Sequence, residues 1–283
     1  MNNTNNLIIT ADDFGLCESV NEAIVASYLN NNITNTSIMI NMGDCQHNAH
    51  LLLKYSMNYG MHFSINRGTP FNKKSTLCDS DGNFFDRRTL FKKILNRKIN
   101  KTDVEYEFKK QLELCKQNNL KISHIDSDNH VHFNPFIFNA IFPIIKEKKL
   151  SFRNLNPCFF NFKKGKRLVR QLIFLVLHNY IKKKFKIDHI MIKNKYFLSL
   201  YDIYDDFQYD EANYFKLLQN SLEKKTIELM VHPYFKSKEL NTIYPYEKTE
   251  KFLNNCFVEG NILTTKKNIF KNTQFELTSF NHL

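Results

Sequence analysis

The chain has 283 residues, with 40 Lys and Arg against 28 Asp and Glu, a formal charge of +12, and 42% hydrophobic residues. That length and apolar content exclude a disordered tail, a collagen-like fibre and a mini-protein, and suffice for one large α/β domain or two smaller ones. Lysine is spread along the whole chain, which makes a solvated surface rather than a binding groove, so no nucleic-acid partner is expected.

The first six residues carry no basic stretch. The longest apolar run, residues 172–177, is far below the roughly 20 needed to span a bilayer. Neither a signal nor a transmembrane segment is expected, and the default compartment is the cytoplasm. The six cysteines form no C-x-x-C pair and read as reduced thiols rather than a disulfide framework or a zinc cluster.

Short apolar runs alternate with helical patterns. Residues 7–10 are β-branched and end at Asp12 and Asp13; residues 20–29 then carry apolar side chains at helical spacing. Residues 36–41 read as a second strand, 47–55 as a helix and 59–65 as a third strand. An irregular stretch, 66–85, holds Gly68, Pro70 and Gly82 and is expected to be a functional loop. A helix at 104–118 and a fourth strand at 122–127 follow, then helices at 135–148 and 168–184 with a short strand near Phe152 between them. A helix around 210–222, a strand at 227–231 and a last strand candidate at 260–265 complete the chain. Strands alternating with helices specify a parallel α/β sheet, open or closed into a barrel, whose active site lies at the strands' carboxyl ends. No linker divides residues 1–283, so one catalytic domain is expected, with a basic helical insertion around 160–190.

The unusual polar residues fall where that geometry requires. Asp12 and Asp13 follow the first strand, and His62 lies in the third. Asp126, Asp128, His130 and His132 end the fourth, and His232 follows the strand at 227–231. From His124 to His132 an ionisable residue recurs at every second position, so an extended chain would place all five on one face. Carboxylates and imidazoles packed together are costly unless paired or bound to metal, and a divalent-ion site accounts for them. Mixed carboxylate and imidazole ligands suit Zn, Mn, Co, Fe or Mg. His47, His50, His178, His189 and His282 lack this context and receive no role. No G-x-S-x-G, Walker A or G-x-G-x-x-G motif is present, which leaves metal-assisted hydrolysis as the reaction class.

The motifs ADDFG at 11–15, TNTSIMIN at 34–41, GMHF at 60–63, HIDS…HVH at 124–132 and ELMVHP at 228–233 together resemble those of the YdjC-like carbohydrate deacetylases, chitooligosaccharide deacetylases included. The resemblance covers most of the chain. It implies a (β/α) barrel, incomplete or distorted, related to the polysaccharide deacetylases. It also implies removal of an N-acetyl group from an amino sugar with one divalent metal ion, Mg, Zn, Mn or Co. By position in the motifs Asp12 corresponds to the general base, Asp13 and His62 to metal ligands, and His232 to the acid that protonates the amine. Arg153 corresponds to a basic residue that orients a carboxylate or the substrate, and Asp126, His130 and His132 to supporting positions. One departure stands out: the family's third ligand, a His, is replaced here by Asp128. A carboxylate is a competent ligand, and the expectation is retained activity with preference shifted toward Mg or Mn. The alternative is a metal-impaired binding protein on the same scaffold. Peripheral contact of the basic segment with an anionic membrane is a further expectation, and a homodimer is admitted without a residue that specifies it.

Overall fold

A computed structural model describes residues 5–158, 165–187, 191–200, 210–221, 226–244 and 246–283. Lys163 and Lys164 of the basic segment, and His189, lie outside the described residues. The strands are β1 (Asn5–Phe14), β2 (Asn35–Ile38), β3 (Tyr59–Phe63), β4 (His124–Ser127), β5 (Ser151–Phe152), β6 (Tyr196–Leu198), β7 (Thr226–Val231) and β8 (Phe275–Thr278). They form one sheet in the order β5-β4-β3-β2-β1-β7-β6, with β8 also on β1, and every pairing is parallel. The fold is therefore α/β and barrel-like. Its two edges approach each other without a continuous ladder. Asn154 and Asn194 exchange side-chain and main-chain hydrogen bonds at 2.8–2.9 Å, and the Phe197 amide donates to the Asn156 carbonyl at 2.8 Å.

The helices are α1 (Glu18–Leu29), α2 (Cys45–Lys54), α3 (Arg87–Leu95), α4 (Lys101–Gln117), α5 (Pro135–Glu147), α6 (Lys166–Phe185), α7 (Glu211–Gln219), α8 (Lys238–Ile243) and α9 (Tyr246–Thr265). Parallel strands need such crossovers, and they cover the sheet, so the strands are apolar on both faces. Leu7, Ile8, Ile9, Ile227, Leu229 and Val231 are fully buried. Caps fix several helix starts: the Asp44 side chain accepts from the amides of Gln46 and His47, and Asn134 accepts from Phe136 and Ile137 ahead of Pro135.

Two expectations are corrected here. Residues 260–265, read as a last strand, are the final turns of α9, and the eighth strand is Phe275–Thr278. The β-branched Thr264 and Thr265 suggest a strand, but α9 packs along α1, and Gly260 admits the Tyr234 backbone where a Cβ would lie 2.3 Å from its carbonyl oxygen. The alternating stripe also stops early. β4 ends at Ser127, residues Asp128–Phe133 turn as a 3-10 segment, and Asn129 and His130 adopt left-handed φ of 53° and 56°.

Candidate active site

Asp12 and Asp13 are neighbours in β1, and in a regular strand they would face opposite sides. The register with β2 shifts between Ala11 and Phe14, and Asp13 adopts φ 73°, so both carboxylates reach the His62 imidazole. Gly15 follows at φ 94°, with its amide donating to Asn21 Oδ1 at 2.6 Å, a turn that a side chain would strain.

His62 connects two layers of buried groups. Its Nε2 lies 3.2 Å from Asp13 Oδ1, and its Nδ1 lies 2.8 Å from Asp126 Oδ1 and 3.0 Å from Ser37 Oγ. In the lower layer Arg153, fully buried, grips Asp12 with two hydrogen bonds of 2.7 Å. Its Nη2 lies 2.8 Å from Asp126 Oδ2, and its Nε donates to Glu228 at 2.9 Å. Burial alone would raise the Asp126 carboxyl, but the Arg153 and His62 charges and the His62 hydrogen bond hold it well below the usual range. Burial pushes Glu228 up to about 7: Arg153 lowers it, while the Asp126 and Asp12 charges add to the rise.

The upper layer faces a cavity of about 410 Å³ lined by Asp12, Asp13, His62, Asp128, His130 and His232 among others. Asp128 accepts from Asn66 Nδ2 at 2.9 Å, Arg67 Nε at 3.1 Å and Asn129 Nδ2 at 2.7 Å. Tyr234 donates its hydroxyl to Asp13 Oδ2. Burial would raise the Asp13 carboxyl, yet hydrogen bonds and charge from His62, the His232 charge and the Tyr234 hydroxyl together lower it well below its ordinary value. On the far wall the His232 amide donates to Glu259 Oε2 at 2.6 Å, and the imidazole Nδ1 stands 3.9 Å from that oxygen.

Asp13, His62 and Asp128 each present a donor atom, all within 4.8 Å of one another, and all three residues are buried. With His62 Nδ1 turned to Asp126, its Nε2 is the nitrogen aimed at Asp13. A carboxylate behind an imidazole is the usual way a metal-binding His is oriented. The group fits one divalent cation. A second triplet, Asp12, His62 and Asp126, meets the same distance condition, but Arg153 occupies both of its carboxylates.

Among the sequence-selected residues, Asp12, Asp13, His62, Asp126, Asp128, Arg153 and His232 meet at this site. His132 turns away from the cavity, its Nδ1 toward Ser127 Oγ at 2.5 Å and its Nε2 toward the Arg153 carbonyl at 3.1 Å. His130 reaches the cavity wall, its ring edge-on to Phe174 and Phe197. Sequence reasoning passed over Ser37, Arg67, Glu228, Tyr234 and Glu259. Glu228 had a signal, a carboxylate inside an apolar strand, Ser37 and Tyr234 lie in or just beyond quoted motifs, and Arg67 lies in the 66–85 stretch expected to be a functional loop; Glu259 had none.

A family model, the YdjC-like proteins, matches residues 6–267. The chain belongs to the YdjC-like family. Among its relatives, a carbohydrate deacetylase of Clostridium beijerinckii is 29% identical over 151 residues, 53% of this chain and 60% of that protein. A chitooligosaccharide deacetylase of Yersinia pestis is 31% identical over 149 residues, 52% and 58% respectively. The chain thus spans about three fifths of the length of these relatives. The crystal structure of an Enterococcus faecalis V583 protein named for cellobiose-phosphate cleavage superposes with a TM-score of 0.75 at 18% identity, covering 99% of this chain and 98% of that one. That likeness establishes the shared fold of this YdjC-like protein.

Proposed function

We propose that this YdjC-like protein is one catalytic domain that removes an N-acetyl group from an amino sugar or oligosaccharide with a divalent metal ion. The observation that carries the reading is the buried Asp13–His62–Asp128 group beside an Asp12 clamped by Arg153, all opening onto one cavity. Two matched relatives are named as sugar deacetylases, which supports the substrate class.

Asp13, His62 and Asp128 would hold the ion, and their two-oxygen, one-nitrogen set favours Mg or Mn over a thiolate-seeking metal. When bound there, the ion would supply Lewis acidity for amide hydrolysis. Asp12 takes a proton from the attacking water, and the two Arg153 hydrogen bonds fix where its carboxylate points. Arg153 is a positioning residue, fully buried and three carboxylates deep. His232, on the opposite wall and backed by Glu259, gives a proton to the departing nitrogen as the amide C–N bond breaks, leaving acetate and a free amine. Asn66 and Arg67 hold Asp128 in place from the loop side.

The test is acetate release from N-acetylated sugars by purified protein, with bound metal measured by elemental analysis. Release should stop with chelator and return with added Mg or Mn. Asp128→Ala should bind the metal more weakly than the parent. Undiminished binding by that variant removes Asp128 from the ligand set, and a protein that cannot be loaded with metal overturns the reading.

A further inference from the structure

Helix α6 carries an apolar stripe that is exposed among the described residues. Val169, Leu172, Ile173, Val176 and Tyr180 are all exposed, Val176 at 66%, and they account for five of the twelve exposed large apolar residues among those described. At 100° per residue they fall within an arc of about 100°. The opposite face anchors the helix: Gln171, His178 and Ile181 are buried, His178 Nδ1 lies 2.7 Å from Asn154 Oδ1, and Phe174 packs on His130. Soluble proteins rarely expose a continuous apolar stripe without a partner for it.

The charge identifies the partner. Helix α6 contains six cations, three of them Lys182, Lys183 and Lys184 in its last turn, and no carboxylate. These three lysines and Lys186 beyond them are exposed. On the helical wheel Lys183 and Lys184 continue the line of the apolar stripe, and Lys184 lies against the Tyr180 ring with its ammonium donating to the Tyr180 hydroxyl at 2.8 Å. A second copy of this face would bring cations against cations, because the helix offers no acid to pair with them. An anionic lipid surface satisfies both features, taking the apolar side chains at the acyl boundary and the lysines among the headgroups.

We infer that α6 is an interfacial helix that docks the protein on an anionic membrane. The same helix lends Arg170 to the cavity wall, so docking sets the cavity beside the membrane surface. This inference is independent of the deacetylase reading.

Flotation of the full chain with phosphatidylcholine vesicles, with and without phosphatidylglycerol, tests it. The protein should float with the anionic vesicles and be released by salt. Ile173→Glu combined with Val176→Glu should abolish flotation. Lys182→Gln, Lys183→Gln and Lys184→Gln together should weaken it by on the order of a hundredfold, about fivefold per lysine. Both variants should keep the parent's melting temperature. A parent that stays in solution, or a double glutamate variant that floats as well as the parent, overturns the inference. So does a parent dimer that the glutamates dissociate without any change in vesicle binding, which would make the stripe a contact between copies.

Discussion

Two buried carboxylate sites have opposite electrostatic outcomes. At the strand ends Asp126 stays ionised, held well below the usual carboxylate range because Arg153 and His62 outweigh its burial. In α4, Glu107 is also buried, but among the described residues only neutral donors answer it: Gln111 Nε2 at 3.1 Å and the Phe71 amide at 3.1 Å. Burial therefore pushes it up to about 7. Burial depth does not decide charge; the number of cations within reach does. The strand-end cluster repeats the lesson internally. Arg153 faces three carboxylates, and Glu228, crowded by Asp126 and Asp12, rises to about 7.

Removing the cation should break this contrast most severely. Arg153→Met would strand Asp12, Asp126 and Glu228 without compensation and should cost about 3–5 kcal/mol in urea unfolding. The loss should shrink in acid, as protonation relieves the carboxylates. An equal loss at acid and neutral pH would mean that packing, not charge, is what the arginine supplies. Arg153→Lys should recover only part of the stability, since one ammonium cannot reach three carboxylates in the guanidinium's planar fork.

Asp126→Asn acts more gently, because an amide still accepts from His62 Nδ1 but no longer carries charge. Metal affinity, read by titration, should fall about 10–100-fold while the fold persists. Unchanged affinity would place Asp126 with the structural cluster alone.

Much of this was legible beforehand because barrel strands announce themselves as apolar β-branched runs, and the residues after them are polar for a reason. Asp12, Asp13, His62 and His232 were found that way. What stayed hidden depends on contacts distant in sequence or on backbone departures from a regular strand. Arg67 meets Asp128 across 61 residues, and Glu259 reaches His232 from a helix mistaken in part for a strand. The alternation from His124 onward predicted one shared face, and the left-handed Asn129 and His130 divided it between the cavity and the core. Helix α3 went unseen for a simpler reason: it buries only Leu90, too little to impose a period.

Glu107 gives the cleanest test. Its folded pKa stands above the ordinary carboxyl value of 4.5, at about 7, so between those values the folded state holds a proton that the unfolded chain has released. Its contribution to stability is fully present below about 4.5 and is lost as pH rises through 7. Glu107→Gln keeps an oxygen for the Phe71 amide and has no proton to lose. The variant should therefore match the parent in acid and exceed it by up to about 3 kcal/mol at pH 8, a difference visible in paired thermal melts. The difference should grow between pH 5 and 7 and then level off. If the two curves run parallel instead, Glu107 is already ionised in the fold, an unseen cation or water answers it, and the contrast with Asp126 dissolves.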